Sequence, residues 1–339
     1  LGLLEYVLDS IPDMQSINSL LAHDIYKCLF GISNTAFEAD IHGQEVTSDL
    51  SLVERIADRF IKADIQKRDF LQIRLLCASA NHMEFSALKY SKELFAYTHD
   101  PQIARNIVGR LYERNETNAK EYEPYLSVLT KLDEPNMCIT AAFAKMKLGY
   151  FDEADYYAYK AIYLLDGLDD FDVYKGCFNF YTLSLPRLKE KMQKKVILAN
   201  MIVTLEAQGV KRILALDSED DFGDSNNHSL MVEHIGRTDP IYIKLIGKGK
   251  KYVLTLHGKD YEVVDFDSRE VFIGKYVYQK VQEHPEEFTG TVLTISTENA
   301  TEMIKQLLTI HDQKEQLKDL LDAYNFSDLG IPIDFFIHG

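Results

Sequence analysis

Positive charge is scarce in this 339-residue chain: 37 Lys and Arg stand against 53 Asp and Glu, a formal net charge of -16. That balance argues against general affinity for nucleic-acid backbones, which demand a basic face, while leaving room for a local basic patch. Cysteine is sparse as well. Cys28, Cys77, Cys138 and Cys177 lie far apart, and no two have the spacing of a metal knuckle or a CxxC redox pair. They read as buried, reduced thiols of a cytosolic protein. There is no apolar run of about 18 residues and no signal peptide, so neither a membrane span nor secretion is expected. Reaction signatures are missing too: no GxSxG, HExxH, P-loop or GxGxxG occurs. Gly247-Lys248-Gly249-Lys250 lacks the earlier spaced glycine and the Ser/Thr of a phosphate loop, and reads as a hairpin turn. The expectation is a chain with no catalytic residue, no metal and no cofactor of its own.

What is present begins with ample core material, since 46% of the residues are hydrophobic, and a length that suggests about two or three domains. The organising stretch is Met137 to Leu165, two short amphipathic helices around a Leu148-Gly149-Tyr150-Phe151 turn. Gly149 is expected to end the first helix with positive φ, and Asp152 to cap the second. Ala154, Tyr157, Ala158, Ala161, Ile162 and Leu165 then form one apolar stripe. Such a hairpin has two sticky faces and needs copies of itself on either side. Upstream, Ser51-Leu-Val-Glu54 reads as a capping box, and Asp100-Pro101 opens a helix with an N-cap and a proline at its first position. Phe70 to Ala80 pairs with Glu84 to Ala96, and Tyr122 to Leu132 follows. Turns near Asn81, Asn115 and Gly149 recur at about 34 residues, the period of a tetratricopeptide array. Phe171 to Leu183 and Leu188 to Ala207 supply the last helices, with Leu198, Met201, Ile202 and Leu205 as an apolar helical face.

The central hairpin resembles the tetratricopeptide (TPR) repeat family through Leu148-Gly149-Tyr150, Phe151-Asp-Glu-Ala154, Tyr157 and Lys160-Ala161-Ile162. The resemblance implies a superhelical groove that binds peptides or protein surfaces, over residues 1–209; a compact helical bundle is the plainer alternative. After Gly209 the period becomes two-fold. Arg212 to Leu216, Ser229 to Ile235, Ile241 to Ile246, Tyr252 to Leu256, Tyr261 to Phe266 and Val271 to Val281 read as strands. Asp239-Pro240-Ile-Tyr-Ile-Lys-Leu-Ile246-Gly247-Lys248, followed by Tyr261-Glu262-Val263-Val264, resembles the C-terminal domain of Gre-type transcription elongation factors. The coiled coil with an acidic tip that those factors use in transcript cleavage is missing here, so the resemblance implies docking on a protein partner and not that activity.

The fold expected is multi-domain and mainly α: a TPR-like helical solenoid over 1–209, an acidic linker over 210–227, and a small α+β module over 228–295. A C-terminal helix and the start of a further domain would occupy 296–339. Lys244, Lys248, Lys250 and Lys251 are the candidate partner-binding residues. With Tyr242 and Tyr252 among them they have the make-up of a single-stranded RNA face, but lysines on turns and edges also protect strands from aggregation. Asp217, Glu219, Asp220, Asp221 and Asp224 place five acids within eight positions. Phe222 stands where an EF-hand loop needs glycine, so the run reads as a solvated linker. The functional expectation is an interaction scaffold or regulator in the cytoplasm. Its repeats would hold a protein partner and its Gre-like module would dock on another, with RNA polymerase a candidate and RNA less favoured. The alternative is the regulatory front of an RNA-cleaving, PIN-type nuclease effector whose catalytic domain lies beyond residue 339. The abrupt end after Ile337 motivates that second reading.

Overall fold

The computed structural model describes residues 2–11, 14–44, 50–165, 167–184, 187, 194–218, 222, 226–227 and 230–288. It is mainly helical with a small mixed sheet, and it divides into two compact units, Leu1–Leu132 and Asp133–Gly339. The C-terminal helix and strand expected after residue 289 lie outside the described residues.

The first unit contains α1 (Gly2–Asp9), α2 (Ser19–Ile41), α3 (Ser51–Lys62), α4 (Lys67–Ala80), α5 (Glu84–Thr98), α6 (Pro101–Glu113) and α7 (Ala119–Leu129). Capping follows the sequence in part. The Asp100 carboxylate accepts from the Gln102 N–H at 2.8 Å with Pro101 at the first helical position, as expected. Helix α3 begins at Ser51 with Leu50 as its cap, one position before the cap expected at Ser51. The core joins α2, α3 and α4 through Leu29, Val53, Ile56, Phe60, Phe70 and Ile73, all shielded from water.

The second unit opens with α8 (Pro135–Lys147), α9 (Phe151–Tyr163) and α10 (Phe171–Leu183). The residue after the cap at the ends of α4, α6 and α8 is left-handed each time: His82 at φ 53°, Asn115 at φ 55° and Gly149 at φ 82°. At each end the following N–H reaches back to a carbonyl five residues earlier, from Met83 to Ala78, Glu116 to Leu111 and Tyr150 to Lys145. This is the Schellman closure, and it satisfies helix carbonyls that would otherwise lack partners. The same closure ends α2 at Gly43 and α3 at Asp64, so it marks helix ends in general and not only the three turns spaced at about 34 residues. The second helix of the central hairpin starts two residues earlier than expected, with Tyr150 and not Asp152 at the cap. Gly149 has open space around its missing β-carbon, so a side chain there meets only the positive-φ penalty. Gly149→Val should therefore cost about 1–2 kcal/mol, read as a lowered thermal midpoint. An unchanged midpoint would contradict that reading of the turn.

Beyond residue 200 the chain departs from expectation. Met201–Ala207 is strand β1, not the end of a helix. It pairs antiparallel with β2 (Val210–Leu216) on one side and with β6 (Lys259–Ser268) on the other. The sheet order is β3-β4-β2-β1-β6-β5, with β3 Asn226–Asn227, β4 Val232–Ile235 and β5 Val253–Leu256; β2 and β4 run parallel. Two segments read as strands are helices, α11 (Pro240–Leu245) and α12 (Arg269–Glu283). Their start signals outrank their β-branched content. The Asp239 side chain accepts from the Ile241 N–H at 2.6 Å ahead of Pro240, and Ser268 caps α12. In α12 the buried Val271, Gly274, Val277, Tyr278 and Val281 recur at helical spacing.

Alternation along the strands sends Val203, Leu205, Leu214 and Leu216 to one core with Tyr242 and Leu245 of α11. Ile202, Ala215 and Val232 point the other way, into a core with Tyr159, Ile162, Cys177, Phe180 and Ile273. Helices α8–α10 and the sheet therefore share one hydrophobic core. Residues 201–216, expected as the end of a helix and the start of an acidic linker, form β1 and β2 in the middle of the sheet.

Candidate functional site

The four candidate lysines gather at the α11–β5 end of the sheet, all exposed. The placement is fixed by backbone. Ile197 N–H donates to the Lys248 carbonyl and Gly247 N–H to the Ile197 carbonyl, each at 2.8 Å. Lys251 N–H donates to the Val263 carbonyl at 2.8 Å, with Lys251 itself left-handed at φ 68°. A β-carbon on Gly249 would lie 3.3 Å from the Lys195 carbonyl, so this close approach suits glycine. The pairing brings Lys194 and Lys195, which the sequence did not single out, beside Lys248, Lys250 and Lys251. Lys250 is paired with Asp265 at 2.5 Å, and the Lys248 ammonium lies 5.1 Å from the Tyr252 ring centre. Ile243 and Val253 stand exposed on the flanking α11 and β5. The result is a basic surface with apolar points on an otherwise acidic chain. The Gly247–Lys250 stretch joins a helix to a strand, so it is not the hairpin turn expected.

A second cluster was not legible in the sequence. Asp217, read as part of a solvated linker, is 1% exposed. One carboxylate oxygen takes an ion pair from the Arg269 guanidinium, and the other lies 2.8 Å from His234 Nδ1. The other ring nitrogen of His234, Nε2, lies 3.1 Å from the Tyr159 hydroxyl. Burial pushes the Tyr159 hydroxyl well above the usual phenol range, so it remains a donor. Phe222, also assigned to the linker, is 7% exposed; its ring centre lies 4.6 Å from that of His234 and 4.9 Å from that of Tyr163.

Asp, His and a hydroxyl in this order have the logic of a nucleophilic triad. The geometry does not serve that chemistry: His234 and Tyr159 are as buried as Asp217, and a phenol held neutral is a poor nucleophile. The cluster instead ties α9, β2, β4 and α12 together through groups separated by 17, 52 and 75 residues in sequence. A single chain offers no local signal for partners that distant.

The remaining sequence candidates divide simply. Glu219, Asp220, Asp221 and Asp224 lie outside the described residues. Among the described residues no group of His, Cys, Asp and Glu is placed to hold a metal, and no helix is long and apolar enough to cross a membrane. Cys77, Cys138 and Cys177 are buried, with burial pushing the Cys77 thiol up to about 12 and the Cys138 thiol to about 11; Cys28 is exposed, contrary to expectation. Tyr159 is core, and Tyr156, Tyr157 and Tyr163 pack against it. Comparison with known proteins yields no relative: no family model matches the chain, and neither does any curated protein or solved structure.

Proposed function

We propose that this chain is a protein-interaction scaffold, in which helical hairpins form a TPR-like groove for one partner and the Gre-like sheet module docks on another. The observation that carries the second contact is the basic end of the sheet, where Lys195, Lys244, Lys248 and Lys251 are exposed, as are Ile243 and Val253 on α11 and β5. A partner suited to it has an acidic surface with apolar residues at its centre, since charge sets orientation and encounter while apolar burial supplies affinity. RNA polymerase is the candidate partner, through the resemblance of 239–264 to the Gre C-terminal domain. The packing of α4 on α5, α5 on α6 and α6 on α7 in succession supports the groove reading.

The test is binding of the full chain to purified bacterial RNA polymerase. Binding should weaken with salt, and Lys244→Glu, Lys248→Glu and Lys251→Glu together should weaken it by about tenfold. Lys250 is left unchanged because Asp265 already engages it. Equal binding by the triple variant would remove the lysine end from the interface. Tighter retention of a single-stranded RNA than of polymerase would replace the proposal with the RNA reading.

A further inference from the structure

Strand β5 stands at one edge of the sheet, and among the described residues it pairs with β6 alone. The register decides which backbone groups lie on its free edge. Leu256 pairs with Lys259 across the turn His257-Gly258, at φ 48° and 76°, and Leu254 pairs with Tyr261. In a hairpin closed by a two-residue turn, the flanking pair exchanges its hydrogen bonds and alternate residues turn theirs outward. The other end of β5 agrees, since the Tyr252 carbonyl accepts from the Val263 N–H at 2.8 Å. Val253 and Thr255 therefore point their N–H and C=O groups away from β6, and no described backbone group outside the hairpin bonds to them. The usual protections of an edge are missing within the strand: Val253–Leu256 holds neither charge nor proline, and Val253 is 51% exposed. Ile243 of the adjoining α11 is 66% exposed.

We propose that this edge takes up an extended segment of the docking partner as a further strand, apolar at its centre and acidic at both ends. This mode of docking presupposes the docking surface proposed above and adds the form in which the partner arrives. The carbonyls of Val253 and Thr255 need N–H donors at the strand repeat, which an extended peptide supplies and a nucleic-acid backbone does not. Charge makes the segment acidic. Lys248 and Lys251 stand just before β5 and Lys259 just past its turn, all exposed, while the Asp265 carboxylate is taken by Lys250. Glu262 and Asp260 lie opposite Val253 and Thr255 on β6, one strand further from the incoming segment, and Asp260 accepts from the Thr255 hydroxyl at 2.6 Å. A second copy pairing through its own β5 would set lysines against lysines in either direction, so the occupant is not this chain.

The test is titration of the full chain with the end-blocked peptide Asp-Glu-Val-Thr-Val-Thr-Val-Glu-Asp, against the same peptide N-methylated along its Val-Thr centre. Methylation removes the N–H donors and leaves every side chain in place. The parent peptide should saturate at about 1 mM or below, and the methylated one should bind about tenfold more weakly or worse. Amide hydrogen exchange locates the contact. Val253 and Thr255 should exchange fast in the free chain and gain protection from the peptide, with Leu254 and Leu256 protected throughout. Lys244→Glu, Lys248→Glu and Lys251→Glu together should weaken the parent peptide about tenfold. Equal affinity for both peptides overturns strand addition, and the docking surface survives that result if the lysine variant still loses binding. Loss on methylation with no effect of the lysine changes keeps strand addition and removes the lysines from the interface. No saturation overturns the inference. So do Val253 and Thr255 amides already slow in the free chain, because another segment of the chain or a second copy then holds the edge.

Discussion

Replacing Asp217 with alanine should destabilise the second unit by about 3–5 kcal/mol, measured by urea unfolding. The reason is the state of what remains. Arg269 would keep its charge at 6% exposure with no carboxylate beside it, and His234 Nδ1 would lose its hydrogen-bond partner. The aromatic cover of Phe222 and Tyr159, whose ring centres lie 5.5 and 5.1 Å from the guanidinium, gives a partial cation–π refuge but no hydrogen-bond acceptor. Most of the loss should therefore be the uncompensated charge. It follows that Asp217→Ala combined with Arg269→Ala costs less than the two single losses added together, because the second change removes the charge that the first leaves behind. Additive losses would mean that Asp217 and Arg269 do not act as a pair.

The second large effect is expected in the first unit. Phe60 is fully buried, and its ring lies parallel to that of Phe70, with centroids 4.1 Å apart and planes 9° apart. Tyr26 meets Phe70 edge-on at 6.2 Å, so the three rings join α2, α3 and α4. Phe60→Ala should cost about 3–5 kcal/mol through lost burial and the cavity left in a close-packed helical core. Native-state hydrogen exchange locates the effect: amides of α3 and α4 should lose protection by a matching amount. A loss below about 1 kcal/mol would show that neighbouring side chains refill the space, and that this core is looser than its geometry.

Helical elements were legible in this sequence where the deciding interactions are local. Asp100-Pro101 marks a helix start because an N-cap carboxylate and a proline ring act within three residues. The turns at His82, Asn115 and Gly149 were legible for the same reason, since the Schellman closure spans only one helical turn. The errors cluster where two local signals disagreed. Ile241 to Ile246 and Val271 to Val281 are rich in β-branched and aromatic residues, but Asp239-Pro240 and Ser268 start helices there. For Met201 to Ala207 the apolar spacing fits a helix stripe and a two-sided strand alike. The choice fell to two neighbours, β2 and β6, the second lying some sixty positions away.

The candidate sites divide along the same line. The basic character of Lys244, Lys248, Lys250 and Lys251 is a property of sequence, because nearby lysines on turns remain solvated in almost any fold. That Lys194 and Lys195 join them depends on the backbone bonds between Ile197 and the Gly247–Lys248 turn. Composition made Asp217 and Phe222 look like a solvated linker, since acids, Ser, Asn and Gly around them cannot bury much surface alone. Tertiary structure reversed this by supplying Arg269 and His234 for the carboxylate and Tyr156, Tyr159 and Tyr163 for the ring. Sequence alone determined most helices of the first 183 residues, the turns between them and the acidic balance of the chain, all of which depend on residues within a turn of each other or on a simple count. Only the tertiary structure decided which strands pair and which acid is buried, because a charge can leave water only when a distant partner is already in place to receive it.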